Sequence, residues 1–528
     1  MDQHPTRFWV IVIVLGFVFD FLFWGQAFGS NFAIFTTLAS AGGVFLLVSS
    51  GIKPARQALG LGVLFLFFNG MTLFRQEPLS MFLAFTFTLF PLGVLTVTYS
   101  KGQWMRYSLL DYFYQLLRLV ESALAAPILF ITRLRKEQVG GSAPAKKTLF
   151  WRIILGLVIA VPVVSCFGVL LAMADPIFSQ TLGDFFKLFN VDKAGEYFVR
   201  LVLIGMTAYV LAGVFLHAGQ KSQGEKLLGQ EKPVIRPFMG FLEIAIVLGC
   251  VALLFLLFVV IQFQYFFGGH VNISLSGFTY SEYARRGFNE LMLVAFFSLL
   301  MILGLSSITR RESSTQKTVY SGLNIAILAE VMVILVSAYQ RLSLTIDYFG
   351  FSRFRLYPRT FMIWVGILLT VVVVLEVVRR ERFFALSMAL AAMGFAASIC
   401  LVNVDGAIVR TNVQRAAEGK ALDVPYLASL SLDAVPALAE AFQNPALKTG
   451  VHEGIGAALF CQMNSSGLAR QNGDFRSANF STLQAESVLN GLNGGLASYK
   501  MDGDRTLSVV TPGGDFYECT SSAESSRD

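Results

Sequence analysis

Charge is scarce in this chain: 14% of its 528 residues are Asp, Glu, Lys or Arg, where a soluble domain carries roughly 25%. That scarcity excludes an ordinary water-soluble globule. Cysteine is also rare, with five in all, and Cys166, Cys250, Cys400, Cys461 and Cys519 form no CxxC pair. A zinc ribbon and a dense disulfide framework are thereby excluded. The four histidines are scattered, and His217 and His270 stand alone, so no metal site is expected. There is no HExxH, no Walker-type phosphate loop, no GxSxG and no kinase signature, so the sequence names no catalytic group and no cofactor. Basic residues are not interleaved with aromatics along one face, which argues against nucleic acid as a partner.

What the chain has instead is apolar length. Hydrophobic residues make up 55%, aromatics 13% including 50 Phe, and the mean hydropathy is +0.63. Apolar runs recur at Phe8–Trp24, Asn31–Ser50, Gln57–Phe74, Pro78–Tyr99, Thr148–Ala174, Tyr197–His217, Pro237–Phe267, Arg286–Ser307, Val319–Arg341, Pro358–Val378 and Phe383–Val402. Each is near the roughly 20 residues that carry a helix across about 30 Å of hydrocarbon. The pattern predicts an all-α polytopic membrane bundle of about eleven transmembrane helices. The first run contains Asp20 and has no small-residue cleavage site behind it, so it reads as a retained span.

The organisation expected is four helices in residues 1–100, a basic amphipathic segment at 101–147, a seven-helix part at 148–402 and a small, mostly helical soluble tail at 403–528. The tail holds nine basic and fourteen acidic residues, against 32 and 20 in the first 402. The basic excess sits in short loops. Lys53/Arg56, the stretch Lys101 to Lys147, the loop with Lys221, Lys226, Lys232 and Arg236, the loop with Arg310, Arg311 and Lys317, and Arg379/Arg380/Arg382 alternate onto one side. By the positive-inside rule that side is cytoplasmic. The N-terminus then lies inside and the tail outside, where Cys461 and Cys519 could form a disulfide.

Within the basic segment, Trp104 to Lys136 reads as an amphipathic helix, lying in the headgroup plane or packed beneath the bundle. Gly140, Gly141, Ser142, Ala143 and Pro144 make a joint after it. In the tail, Leu507 to Val510 followed by Thr511, Pro512, Gly513 and Gly514 reads as a strand entering a turn.

Two groups of residues stand out. Glu330 lies mid-span, where an ionisable group costs about 2.5–3.5 kcal/mol to insert. Ser337 and Arg341 fall on nearly its face, completing a polar stripe. It serves as interhelical glue or as a coupling site for protons or ions. The second group is a set of arginines on the predicted outer side: Arg285, Arg286, Arg341, Arg353, Arg355 and Arg359, with Glu282, Glu290 and Asp347 as nearby acids to pair with them. The planar guanidinium fork grips carboxylate or phosphate in two bonds at once. These arginines form an ion-pair network, or take an anionic headgroup, a lipid-linked phosphate or the acidic tail. Asp20 and Glu243 sit near span ends as paired or snorkelling acids.

Three segments carry a resemblance. They are Tyr283 to Phe288 with Glu290 and Leu291, Ile346 to Phe351 with Arg353, Arg355 and Tyr357, and Asn403-Val404-Asp405 through Arg410 and Asn412, continued by Tyr426 to Leu438. In this order they resemble the bacterial multipass membrane family known as domain-of-unknown-function family 4173, whose sister is numbered 4153. The resemblance covers about residues 50 to 440. It implies a bacterial inner-membrane protein and supplies no activity, cofactor or catalytic residue.

The leading functional expectation is a non-enzymatic envelope sensor or scaffold whose arginine-rich outer face binds an anionic group or the chain's own acidic tail. A transporter coupled through Glu330 and a transferase acting on lipid-linked phosphate, with Glu282 or Asp347 as base, are the alternatives. The lipid bilayer, with its anionic headgroups, is the one partner expected.

Overall fold

In the computed structural model the described residues are 5–138, 160–187 apart from 161–163, 165–166 and 169, then 194–222, 227, 237–267, 288–464, 474–502 and 508–519. The predicted span Thr148–Ala174 falls mostly outside them, as do Gly140 to Pro144 and the motif residues Tyr283 to Gly287.

The chain is an all-α polytopic membrane bundle with a mostly helical tail. Ten described helices are long and apolar enough to cross a membrane. In the front of the bundle stand α1 (Pro5–Phe23), α2 (Ser30–Ser49), α3 (Arg56–Met71), α4 (Pro78–Thr98) and α7 (Ala194–Leu216). At 16 residues α3 is short for a span, but it packs along α4 and is tied to α2. Asn69 accepts from Thr36 Oγ1 at 2.8 Å and donates to Ala33 O at 3.1 Å, the kind of polar bond that holds helices together where lipid gives no hydrophobic drive. Asp20 near the end of α1 pairs with Arg200 near the start of α7, 2.6 Å apart, so the two helices run antiparallel.

Between α4 and α6 (Pro176–Lys187) comes the 30-residue helix α5 (Leu109–Gln138). It is long enough to span, yet its neighbours show otherwise. The Tyr112 ring lies tilted to that of Phe90, 5.9 Å between centroids, and Leu116 packs on Gly93 toward the end of α4. Farther along, Ala123 fits against Gly213 near the end of α7, and Phe130 meets Phe8 at the start of α1. All of these belong to one end of the bundle. Helix α5 therefore lies across that end, with Leu110, Phe113, Leu117, Val120 and Leu124 exposed as an apolar stripe.

The back of the bundle is α8 (Phe241–Phe267), α9 (Phe288–Ile308), α10 (Ser314–Phe349), α11 (Arg353–Val377) and α12 (Phe384–Leu401). Helix α10, with 36 residues, is about 54 Å long and outreaches the hydrocarbon. Its central residues Ile327, Leu328, Val331, Ile334, Leu335 and Ala338 form the core of this half. Helices α11 and α12 meet where Gly394 lies under the Trp364 ring, which leaves no room for a Cβ.

The tail begins one residue after α12. It contains α13 (Val404–Ala417), α14 (Val424–Ala428), α15 (Val435–Phe442), α16 (Thr449–Met463) and α17 (Phe480–Leu496). A three-stranded antiparallel sheet follows, β1 (Lys500–Asp502), β2 (Ser508–Val510) and β3 (Phe516–Glu518), with Val509 opposite both Met501 and Tyr517. Strand β2 is the one read from the sequence. Cys461 and Cys519 are joined in a disulfide. One hydrophobic core runs without a break from Phe68, Leu83 and Ala84 of the bundle through Ile399 and Cys400 into Ile408, Leu438, Ala458 and Val509 of the tail.

The tail and Pro5 occupy opposite ends of the bundle. Against the tail end lie the turns around Ser30, Arg75 and Phe351. At the other end lie Lys53, Arg56, Lys101, Arg106, Arg310, Arg311, Lys317, Arg379, Arg380 and Arg382, beside α5.

Candidate functional site

The polar groups of the motif segments meet at the tail end, where α4, α10, α11 and α12 leave the bundle. Helix α10 stops at Gly350, whose φ of +88° favours glycine. A Cβ there would also lie 2.8 Å from Asn412 Oδ1. Asn412, on α13, reads the turn like a complementary strand: it accepts from Phe351 N–H and donates to Phe351 O, both at 2.9 Å. Arg415, one turn on, donates to the carbonyls of Ile346, Asp347 and Tyr348 at 2.8, 2.7 and 3.1 Å. These are carbonyls of the last turn of the helix, where Ile346 O also accepts from Gly350 N–H.

The next residues open α11, which starts five residues before Pro358 and so places Arg353 and Arg355 in its first turn. Arg353 grips Asp405 with both arms of its fork, Nε to Oδ1 at 2.8 Å and Nη2 to Oδ2 at 2.5 Å. Asp405 is wholly buried. Its Oδ2 also accepts from Ser431 N–H and Oγ at 2.8 and 2.6 Å. The Arg353 N–H in turn donates to Tyr426 Oη at 2.8 Å.

A second carboxylate lies beside the first pair. Glu77 caps α4 by accepting from Leu79 N–H, Ser80 N–H and Ser80 Oγ, and the Tyr357 hydroxyl donates to it from α11. The N–H groups of Gln76 and Glu77 donate to Asp433 Oδ2, each at 2.9 Å. Asn403 caps α13 through Gly406 N–H and donates to Asp433 O. Arg75 ties α3 to the end of α12 through the carbonyls of Cys400 and Leu401. Burial pushes the Asp433 carboxyl above the usual aspartate range, against the opposing pull of Ser481, the two backbone donors and Arg75. The front of the bundle is fastened as well, since Ser30 and Asn31 N–H donate to the carbonyls of Ala478 and Arg476, and Arg476 donates to Phe21 O.

The remaining sequence candidates divide among several places. Arg285, Arg286 and Glu282 lie outside the described residues. Arg355 donates to Gly350 O and lies over the Phe349 ring, while Arg359 donates to Tyr339 Oη and lies over that ring. Arg341 and Ser337 both donate to Gln262 Oε1 of α8, at 3.0 Å each. Glu330 is half-buried, and its Oε2 has no hydrogen-bond partner among the described residues. Of the acids expected as arginine partners, Glu290 and Asp347 are exposed and make no ion pair among the described residues. Gly350 turns the chain so that the Asp347 carbonyl, not its carboxylate, meets Arg415. The acid that pairs with Arg353 comes from the tail instead. Glu77, Asp433, Ser431, Arg415 and Gln262 carried no signal as site residues in the sequence.

The polar groups of the tail junction bond chiefly to one another, while Asp433 Oδ1 is buried without a hydrogen-bond partner among the described residues. No group of three or more His, Cys, Asp or Glu that could hold a metal occurs among the described residues. The fold and this junction define the class: a polytopic helical membrane protein with its C-terminal tail built onto one end. The model of a domain of unknown function, family 4153, matches residues 58–441, and the chain belongs to that family. It is the sister of the family 4173 named from the motifs. The match runs from α3 to α15 and takes in both sides of the junction. No curated protein and no solved structure matches the chain.

Proposed function

We propose that this protein is a non-enzymatic scaffold of the bacterial inner membrane. Its N-terminus is cytoplasmic, and it presents the C-terminal domain in fixed register outside. The observation that carries this reading is the buried two-bond pair between Arg353 and Asp405, set within a hydrophobic core that the bundle and tail share. Removing one partner of a buried ion pair costs about 3–5 kcal/mol. A tail held this way is a fixed part of the molecule rather than a flap displaced by a passing anion, so the scaffold is favoured over the ligand-displaced sensor. The grouping of basic loops at the end opposite the tail supports the orientation. The test is a pair of fusions after Asp528, alkaline phosphatase and a fluorescent protein. The reading expects an active phosphatase and a dark fluorescent protein, and a bright fluorescent protein contradicts it.

A proton- or ion-coupled transporter is the second reading, favoured by one observation, the partnerless Oε2 of Glu330 inside α10. Glu330→Gln should then abolish coupled uptake while the protein stays folded. A phosphate transferase draws no comparable support, because Arg353, Arg355 and Arg359 already hold protein groups.

A further inference from the structure

At the end opposite the tail, a cavity of about 590 Å³ opens where α8, α9, α10 and α11 terminate. Four cations, Arg310, Arg311, Lys317 and Arg379, line it together with Glu312 and Glu376. Its rim is built by backbone: Phe238 and Met239 N–H donate to Ile308 O, and Arg310 N–H donates to Met239 O. Arg310 is steadied by a bond from its Nε to Pro237 O at 2.9 Å, and Arg379 by one from its Nη2 to Thr318 Oγ1 at 3.3 Å. Neither of these partners is charged. Among the described residues, Arg310, Lys317 and Arg379 make no ion pair, so their charges face the cavity uncompensated by a bound carboxylate.

Two further features set the cavity's place in the molecule. Arg379 adopts φ +57°, the left-handed region that a residue with a side chain seldom takes, and it is the one such non-glycine among the described residues. It is the left-handed residue that closes the end of α11, with Arg379 N–H donating to Glu376 O and Arg380 N–H to Leu375 O, and it fixes the place where the Arg379 side chain leaves the helix. The cavity also sits at headgroup depth, since Leu242, Val374 and Val377, just inside it along α8 and α11, are exposed apolar residues suited to acyl chains.

We infer that this cavity binds the phosphate of an anionic phospholipid, with Lys317, Arg310 and Arg379 gathered around the phosphate oxygens and the acyl chains lying along α8 and α11. Guanidinium groups match phosphate oxygens in planar, two-bond geometry, and basic pockets between helix ends on this side of a membrane suit acidic headgroups. The inference rests on the orientation proposed above and not on the scaffold role.

The test uses the full-length protein, delipidated in detergent. Its unfolding midpoint is followed on adding phosphatidylglycerol, phosphatidylcholine or inorganic phosphate, and native mass spectrometry counts the lipid retained. Phosphatidylglycerol should raise the midpoint by several degrees more than phosphatidylcholine, and retained lipid should be seen. Lys317→Gln combined with Arg379→Gln should lose most of that difference, whereas Lys53→Gln, an exposed cation of the same end, should keep it. If the double variant fails to fold, Lys317→Gln alone should lose retained phosphatidylglycerol at least threefold. Equal effects of the two lipids, or full retention by the Lys317 variant, would overturn the inference. Inorganic phosphate matching phosphatidylglycerol would assign the cavity to a soluble phosphate compound and overturn the lipid as its source.

Discussion

Asp405 and Asp433 are both buried aspartates of the tail, and their partners differ. Asp405 is compensated by the full fork of Arg353 and two donors from Ser431, so Asp405→Ala leaves unpaired a guanidinium whose side chain is only 18% exposed. The expected loss is about 3–5 kcal/mol, read as an earlier unfolding midpoint for the tail and faster tail proteolysis. Asp433 accepts two backbone donors, and burial still holds its pKa above the ordinary range. The folded chain therefore binds this proton more tightly than the unfolded chain. Its contribution grows as pH falls through the interval between the unfolded and folded pKa values and is lost as pH rises through it. Midpoints followed as pH rises from below the ordinary aspartate range should show this slope, and Asp433→Asn, which keeps an acceptor for Gln76 and Glu77 N–H, should flatten it. An unchanged slope in that variant would assign the pH dependence elsewhere.

At the scale of elements, the spans are legible because lipid demands long apolar runs, a pattern that soluble folds seldom sustain. Where the reading departs from the structure, packing outweighs a local rule. Pro358 marks a helix start in the sequence, yet α11 begins at Arg353 because the Arg353–Asp405 pair and the Tyr426 hydroxyl anchor its first turn. The arginines themselves stand out by residue type and position. Their partners do not, since Asp405 is 52 residues from Arg353 and Glu77 is 280 from Tyr357, and no periodicity spans such gaps. Two element-level outcomes follow. Gly350→Ala forces a side chain into positive φ and onto Asn412 Oδ1, at about 1–2 kcal/mol for the backbone alone, and should loosen the α10–α13 contact in hydrogen exchange at Phe351. Reducing the Cys461–Cys519 disulfide, which closes a 58-residue separation, removes about 4 kcal/mol in the chain-entropy account. Tail cleavage should therefore accelerate in reductant.

For the molecule as a whole, the bundle and the tail are one folding unit at their junction. Ile399 and Cys400 of the last membrane helix share a core with Ile408, Leu438 and Val509, and the family match itself crosses from bundle into tail at residues 58–441. A chain ending at Val402 should accordingly expose Phe68 and Leu83 at the tail end and accumulate poorly in membranes. The central claim is that a buried charge pair fixes the tail to the bundle. The measurement that tests it most directly is a double-mutant cycle of Arg353→Met and Asp405→Leu on the full-length protein, reading tail unfolding by pulse proteolysis. The account predicts that each single change is strongly destabilising and that the double variant recovers at least about 2 kcal/mol of the summed loss, because the uncompensated charge is gone. Additive losses, or single variants whose tails resist protease as well as the parent does, would contradict it.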